Sequence, residues 1–218
     1  MTIETTIRRI QEIGIVPVVR AANLDEARKA VDAICIGGIP VIEITMTVPN
    51  APAMIEELVG HYGNTVLTGA GTVTTALQAE ICLDAGAQFL VSPGLSVPVL
   101  QAAAKRGILA IPGALTPTEV MAAIEAGAKI IKIFPCSSAG GSKHIKALKA
   151  PFPDTPLIPT GGVNLANAAE YFAAGSFALG VGADLVDLVA IRRNEPSKII
   201  DMAKALVDAV RLARGPKS

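Results

Sequence analysis

The chain has 218 residues, 51% of them hydrophobic, and a formal net charge of zero. That length and apolar content suffice for one domain with a large core, and the charge balance argues against nucleic acid or an anionic membrane surface as partner. Tryptophan is absent and aromatics make up only 3%, so the core must be Ala, Ile, Val and Leu, which suits helices packed on parallel strands.

Taken in order, Thr2–Ile13 reads as an amphipathic helix with Glu4, Arg8 and Arg9 on it and no apolar stretch of the signal-peptide kind. Short apolar runs then recur at 15–20, 40–45, 65–69, 88–92, 108–111, 129–134, 156–160 and 177–181, with a helix-like segment after each. Cap residues mark the helix starts. Asn23 has Glu26 three residues on, the spacing of a capping box. Asn50 or Ala51 precedes Pro52, Thr74 or Thr75 opens the third crossover, and Ser96 opens the fourth. Thr116-Pro117-Thr118-Glu119 is a strong start, Asn164 opens the seventh crossover, and Pro196 and Ser197 begin a last helix to about Arg214. Before the strands stand Gly-containing joints such as Ala85-Gly86-Ala87 and Ala126-Gly127-Ala128, which suit left-handed helix caps. No run approaches the roughly 18 apolar residues of a membrane span. Cys35, Cys82 and Cys136 are odd in number and widely spaced, which points to free thiols in a cytoplasmic protein.

Eight strands repeating roughly every 20–26 residues in a chain of this length predict an α/β fold, a (β/α)8 TIM barrel of one domain over residues 1–218 with an N-terminal helix. An open doubly wound sheet is the competing architecture. It is weakened because no strand leads into a Gly-x-Gly-x-x-Gly turn.

Two strands carry a charge among apolar residues. In Ile130-Ile131-Lys132-Ile133-Phe134 the alternation of a strand sets Lys132 on the face of Ile130 and Phe134. In Pro40-Val41-Ile42-Glu43-Ile44-Thr45 it sets Glu43 with Val41 and Thr45. Lys132 taken alone suits a snorkelling residue at a strand end. Two opposite charges on two such strands explain each other if both face the same interior.

A barrel puts function on the loops after its strands. Here those ends are rich in Gly, Pro, Ser and Thr, and they offer no metal cage. His61 and His144 read as surface or structural residues. Thr160-Gly161-Gly162 and Gly180-Val181-Gly182 follow the seventh and eighth strands, where barrels bind phosphate through backbone N–H groups. Burial disfavours the charged form of an amine, and a neutral amine can attack a ketone to form a Schiff base. A carboxylate nearby can move the protons. Residues Lys132 and Glu43 with a phosphate cradle therefore point to aldolase chemistry without a metal or other cofactor.

The residues that carry this chemistry stand in a recognisable order: Val41-Ile42-Glu43-Ile44-Thr45, Gly69-Ala70-Gly71-Thr72-Val73, Val91-Ser92-Pro93-Gly94, Ile111-Pro112-Gly113, Ile131-Lys132-Ile133-Phe134-Pro135 and Pro159-Thr160-Gly161-Gly162-Val163. Together they make nearly the whole chain resemble the 2-keto-3-deoxy-6-phosphogluconate (KDPG) aldolases, which often also act on 4-hydroxy-2-oxoglutarate (KHG). The resemblance implies a class I aldolase, usually a homotrimer, that cleaves a phosphorylated 2-keto sugar acid to pyruvate and glyceraldehyde 3-phosphate, or KHG to pyruvate and glyoxylate. It implies Lys132 as the Schiff-base residue and Glu43 as the general acid/base. Thr72 would hold the pyruvate carboxylate beside Thr45, Pro93 and Phe134 would shape the pocket, and Gly161, Gly162 and Gly182 would bind phosphate beside Thr160.

Two positions depart from the family. Thr47 stands where some members carry a carboxylate-binding Arg, and Arg20, at the end of the neighbouring strand, is placed to reach the same anion. Ala183 stands where many members have a phosphate-binding Ser. Asp184 beside it reads as a first-turn residue of a short helix, complementing its dipole. A sister aldolase for 2-keto-3-deoxy-6-phosphogalactonate and a non-catalytic phosphate-binding barrel remain the alternative readings.

Overall fold

The computed structural model describes residues 1–215. Its strands are β1 (Ile15–Val19), β2 (Val41–Thr45), β3 (Leu67–Gly71), β4 (Phe89–Val91), β5 (Leu109–Ile111), β6 (Gly113–Ala114), β7 (Ile131–Ile133), β8 (Leu157–Pro159) and β9 (Leu179–Val181). The helices are α1 (Ile3–Ile13), α2 (Leu24–Ile36), α3 (Ala51–Tyr62), α4 (Ala76–Asp84), α5 (Val97–Lys105), α6 (Pro117–Glu125), α7 (Ser142–Lys149), α8 (Ala168–Ala173), α9 (Leu188–Arg192) and α10 (Ser197–Arg214). Every strand pairing is parallel.

The strands form a curled parallel sheet in two parts, one ordered β5-β4-β3-β2-β1-β9 and one ordered β6-β7-β8. Pro112 lies between β5 and β6. At the other margin Thr160 and Gly180 form a parallel bridge, and Phe177 N–H donates to Leu157 O at 2.8 Å.

Alternation sorts the core into two clusters. Val16, Val41, Leu67, Phe89, Ile111, Ile130 and Ile158 pack inside the curl, with Ile10 of α1 among them. Ile42, Ile44, Ala70, Leu90, Ile131, Ile133 and Leu179 face outward to the helices. The strand interior is therefore a packed core with α1 against its N-terminal end, and a barrel's site lies at the C-terminal end.

Some predicted boundaries shift. The third strand runs 67–71 rather than 65–69, because Ala70 and Gly71 continue it, with both Gly69 and Gly71 at crowded positions. A Cβ on Gly69 would lie 2.4 Å from the Phe89 ring. Thr65 instead closes a turn, with its N–H donating to Tyr62 O. The predicted strand 108–111 is continued past Pro112 by the short β6.

The caps follow local chemistry in most cases. Thr116 and Glu119 form the full capping box of α6. At α2 the box is only half made: Asn23 accepts from Glu26 N–H, but the Glu26 carboxylate takes Ala22 N–H and pairs with Arg192 at 2.9 Å. Asn164 does not start α8, which is preceded by Asn167; Asn164 accepts from Ala166 N–H in the turn before it. None of the described helices is long and apolar enough to cross a membrane.

Candidate active site

Lys132 and Glu43 come from strands that are not neighbours, and the curl brings them face to face. Lys132 Nζ lies 3.7 Å from Glu43 Oε1. Lys132 is 7% exposed and Glu43 3%. Both sit on the interior face, as alternation requires, with Ile130 and Val41 one layer below them. Glu43 Oε1 has no hydrogen-bond partner among the described residues. The Lys132 ammonium also stands 5.3 Å from the centre of the Phe134 ring, within cation–π range.

A glycine makes room for the carboxylate. Gly71 of β3 pairs with Thr45 of β2, and a Cβ on Gly71 would stand 1.9 Å from Glu43 Oε1. This part of Gly71 goes beyond anything its place in the run Gly69-Ala70-Gly71-Thr72-Val73 implies. The signal that finds it is a glycine inside a strand, which marks close approach by another group. Gly113 serves likewise beside Pro93, whose carbonyl oxygen would be 2.1 Å from a Cβ there.

The polar residues predicted for the carboxylate end lie around β2 and β3. Thr45 is fully buried, and its hydroxyl is 2.8 Å from that of exposed Thr47. Thr72 follows β3 with φ 58°. That left-handed backbone is uncommon for a β-branched residue, and such strain clusters at functional sites.

Across the mouth is a second group. A pocket of about 150 Å³ is lined by Phe134, Thr160, Gly161, Gly162, Gly182 and Ala183, with Val18, Val163, Arg20 and Asp184 completing it. Gly161 and Gly162 take φ 92° and 72°, and the Phe134 ring would lie 3.5 Å from a Cβ on Gly161. Phe134 thus joins this pocket to the lysine. Thr72, Pro93 and Thr47 do not line this pocket. Cavities of about 540 and 250 Å³ adjoin it beyond Ala183, and two of about 480 and 520 Å³ lie at the opposite end around α1 and Arg214, away from Lys132.

Two placements differ from expectation. The Arg20 side chain turns toward β9, with Nη1 3.5 Å from the position of a Cβ on Gly182. Asp184 is not in the first turn of a helix. It sits in the turn ahead of α9, whose cap is Asp187, accepting from Ala190 N–H at 3.0 Å. The Asp184 carboxylate residue therefore belongs to the pocket wall.

The histidines lie elsewhere. His61 is exposed, 3.2 Å from Arg28, and His144 Nε2 is 2.7 Å from Leu115 O. Among the described residues no three His, Cys, Asp or Glu side chains are grouped to hold a metal ion.

A buried lysine facing a buried carboxylate, inside a curled parallel sheet with a glycine-lined pocket at its C-terminal end, defines an α/β protein of the lysine-dependent aldolase type. The comparisons agree. Residues 6–202 match the family model described as KDPG and KHG aldolase. The KHG/KDPG aldolase of Escherichia coli K12 is 34% identical over 198 residues, covering 91% of this chain and 92% of that protein. The 2-dehydro-3-deoxy-6-phosphogalactonate aldolase of the same organism is 37% identical over 175 residues, 80% of this chain and 85% of that one. A Legionella pneumophila KDPG aldolase structure, with pyruvate captured as a covalent carbinolamine, superposes with a TM-score of 0.86 at 33% identity, covering 92% of this chain and 97% of the other. The chain belongs to the KDPG and KHG aldolase family.

Proposed function

We propose that this protein is a class I aldolase that cleaves KDPG to pyruvate and glyceraldehyde 3-phosphate through a Schiff base on Lys132, and that it also accepts KHG. The observation that carries the reading is the 3.7 Å approach of Lys132 Nζ to the unpartnered Oε1 of Glu43 inside the sheet.

The neutral Lys132 amine attacks the C2 ketone, and Glu43 delivers the proton that lets the carbinolamine lose water. The resulting iminium draws electrons from the C3–C4 bond. Glu43, directly or through a water, removes the C4 hydroxyl proton as that bond breaks and the aldehyde leaves. The enamine is then protonated at C3, and water releases pyruvate and the free lysine. Thr72, with Thr45 and Thr47 nearby, holds the carboxylate of the pyruvyl part. Phe134 and Pro93 bound the reacting carbons, and Thr160, Gly161, Gly162, Gly182 and Ala183 receive the distal end. No metal or cofactor is needed, because the iminium supplies the electron sink.

In this reading the two parts of the sheet are one eight-stave barrel, with β5 and β6 as a single stave interrupted by Pro112. The Thr160–Gly180 bridge supports closure. The protein works as a cytoplasmic homotrimer. Leu77 and Ile81 of α4, Val97 of α5, and Met121 and Ile124 of α6 are exposed apolar side chains on successive helices, suited to face another subunit.

The test is trapping. Incubation with pyruvate and borohydride, followed by peptide mass spectrometry, should place a reduced pyruvyl adduct on Lys132. A folded protein with no adduct there would sink the mechanism and favour a phosphate-binding barrel without aldolase chemistry. The 37% identity to the galactonate-type enzyme keeps 2-keto-3-deoxy-6-phosphogalactonate as the second substrate to assay.

A further inference from the structure

We infer that the protein carries a second small-molecule site at the N-terminal end of the sheet, away from Lys132, and that this site takes a zwitterion of the free amino acid class. The inference does not depend on the aldolase reading.

The cavity of about 520 Å³ at that end is walled by three stretches of chain, and its volume is in the range of small-molecule sites. One wall is α1. Its Ile3, Ile7 and Ile10 pack against the interior cluster, and Arg8, Gln11 and Glu12, neighbours on the helix surface, line the cavity. A second wall runs from Lys149, at the end of α7, to Asp154 and Pro156. The third is the joint Gly175-Ser176-Phe177 before β9. Arg214 of α10 is tied to that joint, its Nη2 donating to Phe177 O at 2.7 Å.

Ser176 is the residue that points to a ligand. It is 9% exposed, and its Oγ is buried without a hydrogen-bond partner among the described residues. Buried hydroxyls nearly always have partners, so an orphaned one on a cavity wall marks a contact that the protein itself does not supply.

The charges decide the class of ligand. Lys149 and Arg214 are pinned by backbone carbonyls, Lys149 Nζ by Thr155 O at 3.0 Å and Arg214 by Phe177 O and Gln11 O. Arg8, Glu12 and Asp154 are exposed and enter no ion pair among the described residues. A plain anion would face Glu12 and Asp154, and a plain cation would face Arg8, Lys149 and Arg214. A molecule with one carboxylate and one ammonium answers both signs. Its carboxylate accepts from Arg8 and the Ser176 hydroxyl, and its ammonium donates to Glu12 and Asp154.

The experiment screens wild type by thermal shift against the proteinogenic L-amino acids. The best binder is then titrated calorimetrically into wild type, Ser176→Ala, Arg8→Gln and Glu12→Gln. At least one amino acid should raise the wild-type midpoint, as a ligand of the native state must. Each variant should bind it at least about tenfold more weakly, the scale of a lost charge-assisted hydrogen bond. The same molecule without its amino group should lose affinity by at least about tenfold as well. Ser176→Ala should keep wild-type stability in the absence of ligand, since its hydroxyl has no partner to lose. The absence of any binder would overturn the inference. So would undiminished affinity in any of the three variants, which would place the binder elsewhere. Full affinity for the analogue without an amino group would make this a site for simple acids and overturn the zwitterion. A Ser176→Ala protein that unfolded at clearly lower urea without ligand would assign the hydroxyl to the fold, and would count against the site.

Discussion

Gly71 is the seat of Glu43: any side chain on Gly71 would begin 1.9 Å from the carboxylate oxygen that faces Lys132. Gly71→Ala should therefore push Glu43 off its position without touching substrate directly. Turnover should fall at least about 100-fold, the scale of a lost general acid/base. Overpacking should cost about 1–3 kcal/mol of stability. Gly94→Ala, where a Cβ meets only open space, should stay within about 0.5 kcal/mol of wild type. Urea denaturation beside steady-state kinetics reads both effects, and normal turnover in Gly71→Ala would contradict the geometry.

The two buried charges should separate by function. Lys132→Ala should form no borohydride adduct at this position and should show no turnover above background. Glu43→Gln keeps the amine and should still give the adduct, slowly, with kcat down by about 10²–10⁴. If Glu43→Gln turned over normally, another group or water would be moving the protons.

One pH effect on stability can be signed. Hydrogen bonds from the Thr116 and Leu115 N–H groups and the Thr116 hydroxyl hold the Glu119 carboxyl below its usual value of 4.5. A depressed carboxyl stabilises the fold above its unfolded value and loses that contribution as pH falls through the folded one. Glu119→Gln should thus be less stable than wild type at pH 7, and the gap should close as the pH drops below about 4.5. The group is largely exposed, so solvent screening keeps the gap under about 1 kcal/mol. Urea midpoints at pH 7 and pH 3.5 would show it, and a gap that widened in acid would reverse the sign argued here.

The thiols should be quiet in the native protein. Burial pushes Cys82 and Cys136 up to about 11, and Cys35 likewise with help from the Asp32 charge. The thiolate is the nucleophile, and at pH 8 it is a fraction of about 10⁻³ for such a group. Iodoacetamide at pH 8 should label Cys82 and Cys136 far more slowly than in urea. Rapid native labelling of either would mean that its segment opens readily.

Local chemistry and distant partners divide the fold between them. The Thr116 capping box needs only four consecutive residues, so local sequence determines it, whereas Glu26 broke its expected box because Arg192, 166 residues away, shares its carboxylate. The sequence places the third strand at 65–69, and the structure at 67–71, because the apolar run ends at Gly69 and a further glycine at 71 gives no sign of continuing it. Their lack of a side chain is explained only by Phe89 and Glu43, which arrive from other strands. Asp184 suits a helix start by its sequence, but Asp187 holds that cap, because the chain makes a further turn before α9 begins.

Alternation along two short strands, a local property of extended backbone, determined from the sequence alone that Lys132 shares a face with Ile130 and Phe134, and Glu43 with Val41 and Thr45. The glycine turns at Gly161 and Gly182 were likewise visible as loops fit for an anion. What only the tertiary structure decided is distance and direction. The curl of the sheet brings non-neighbouring β2 and β7 to a 3.7 Å contact, and it leaves Glu43 Oε1 unpartnered. It also decides that Arg20 reaches Gly182. A long flexible side chain takes its direction from its surroundings, and those come from residues far away in the chain.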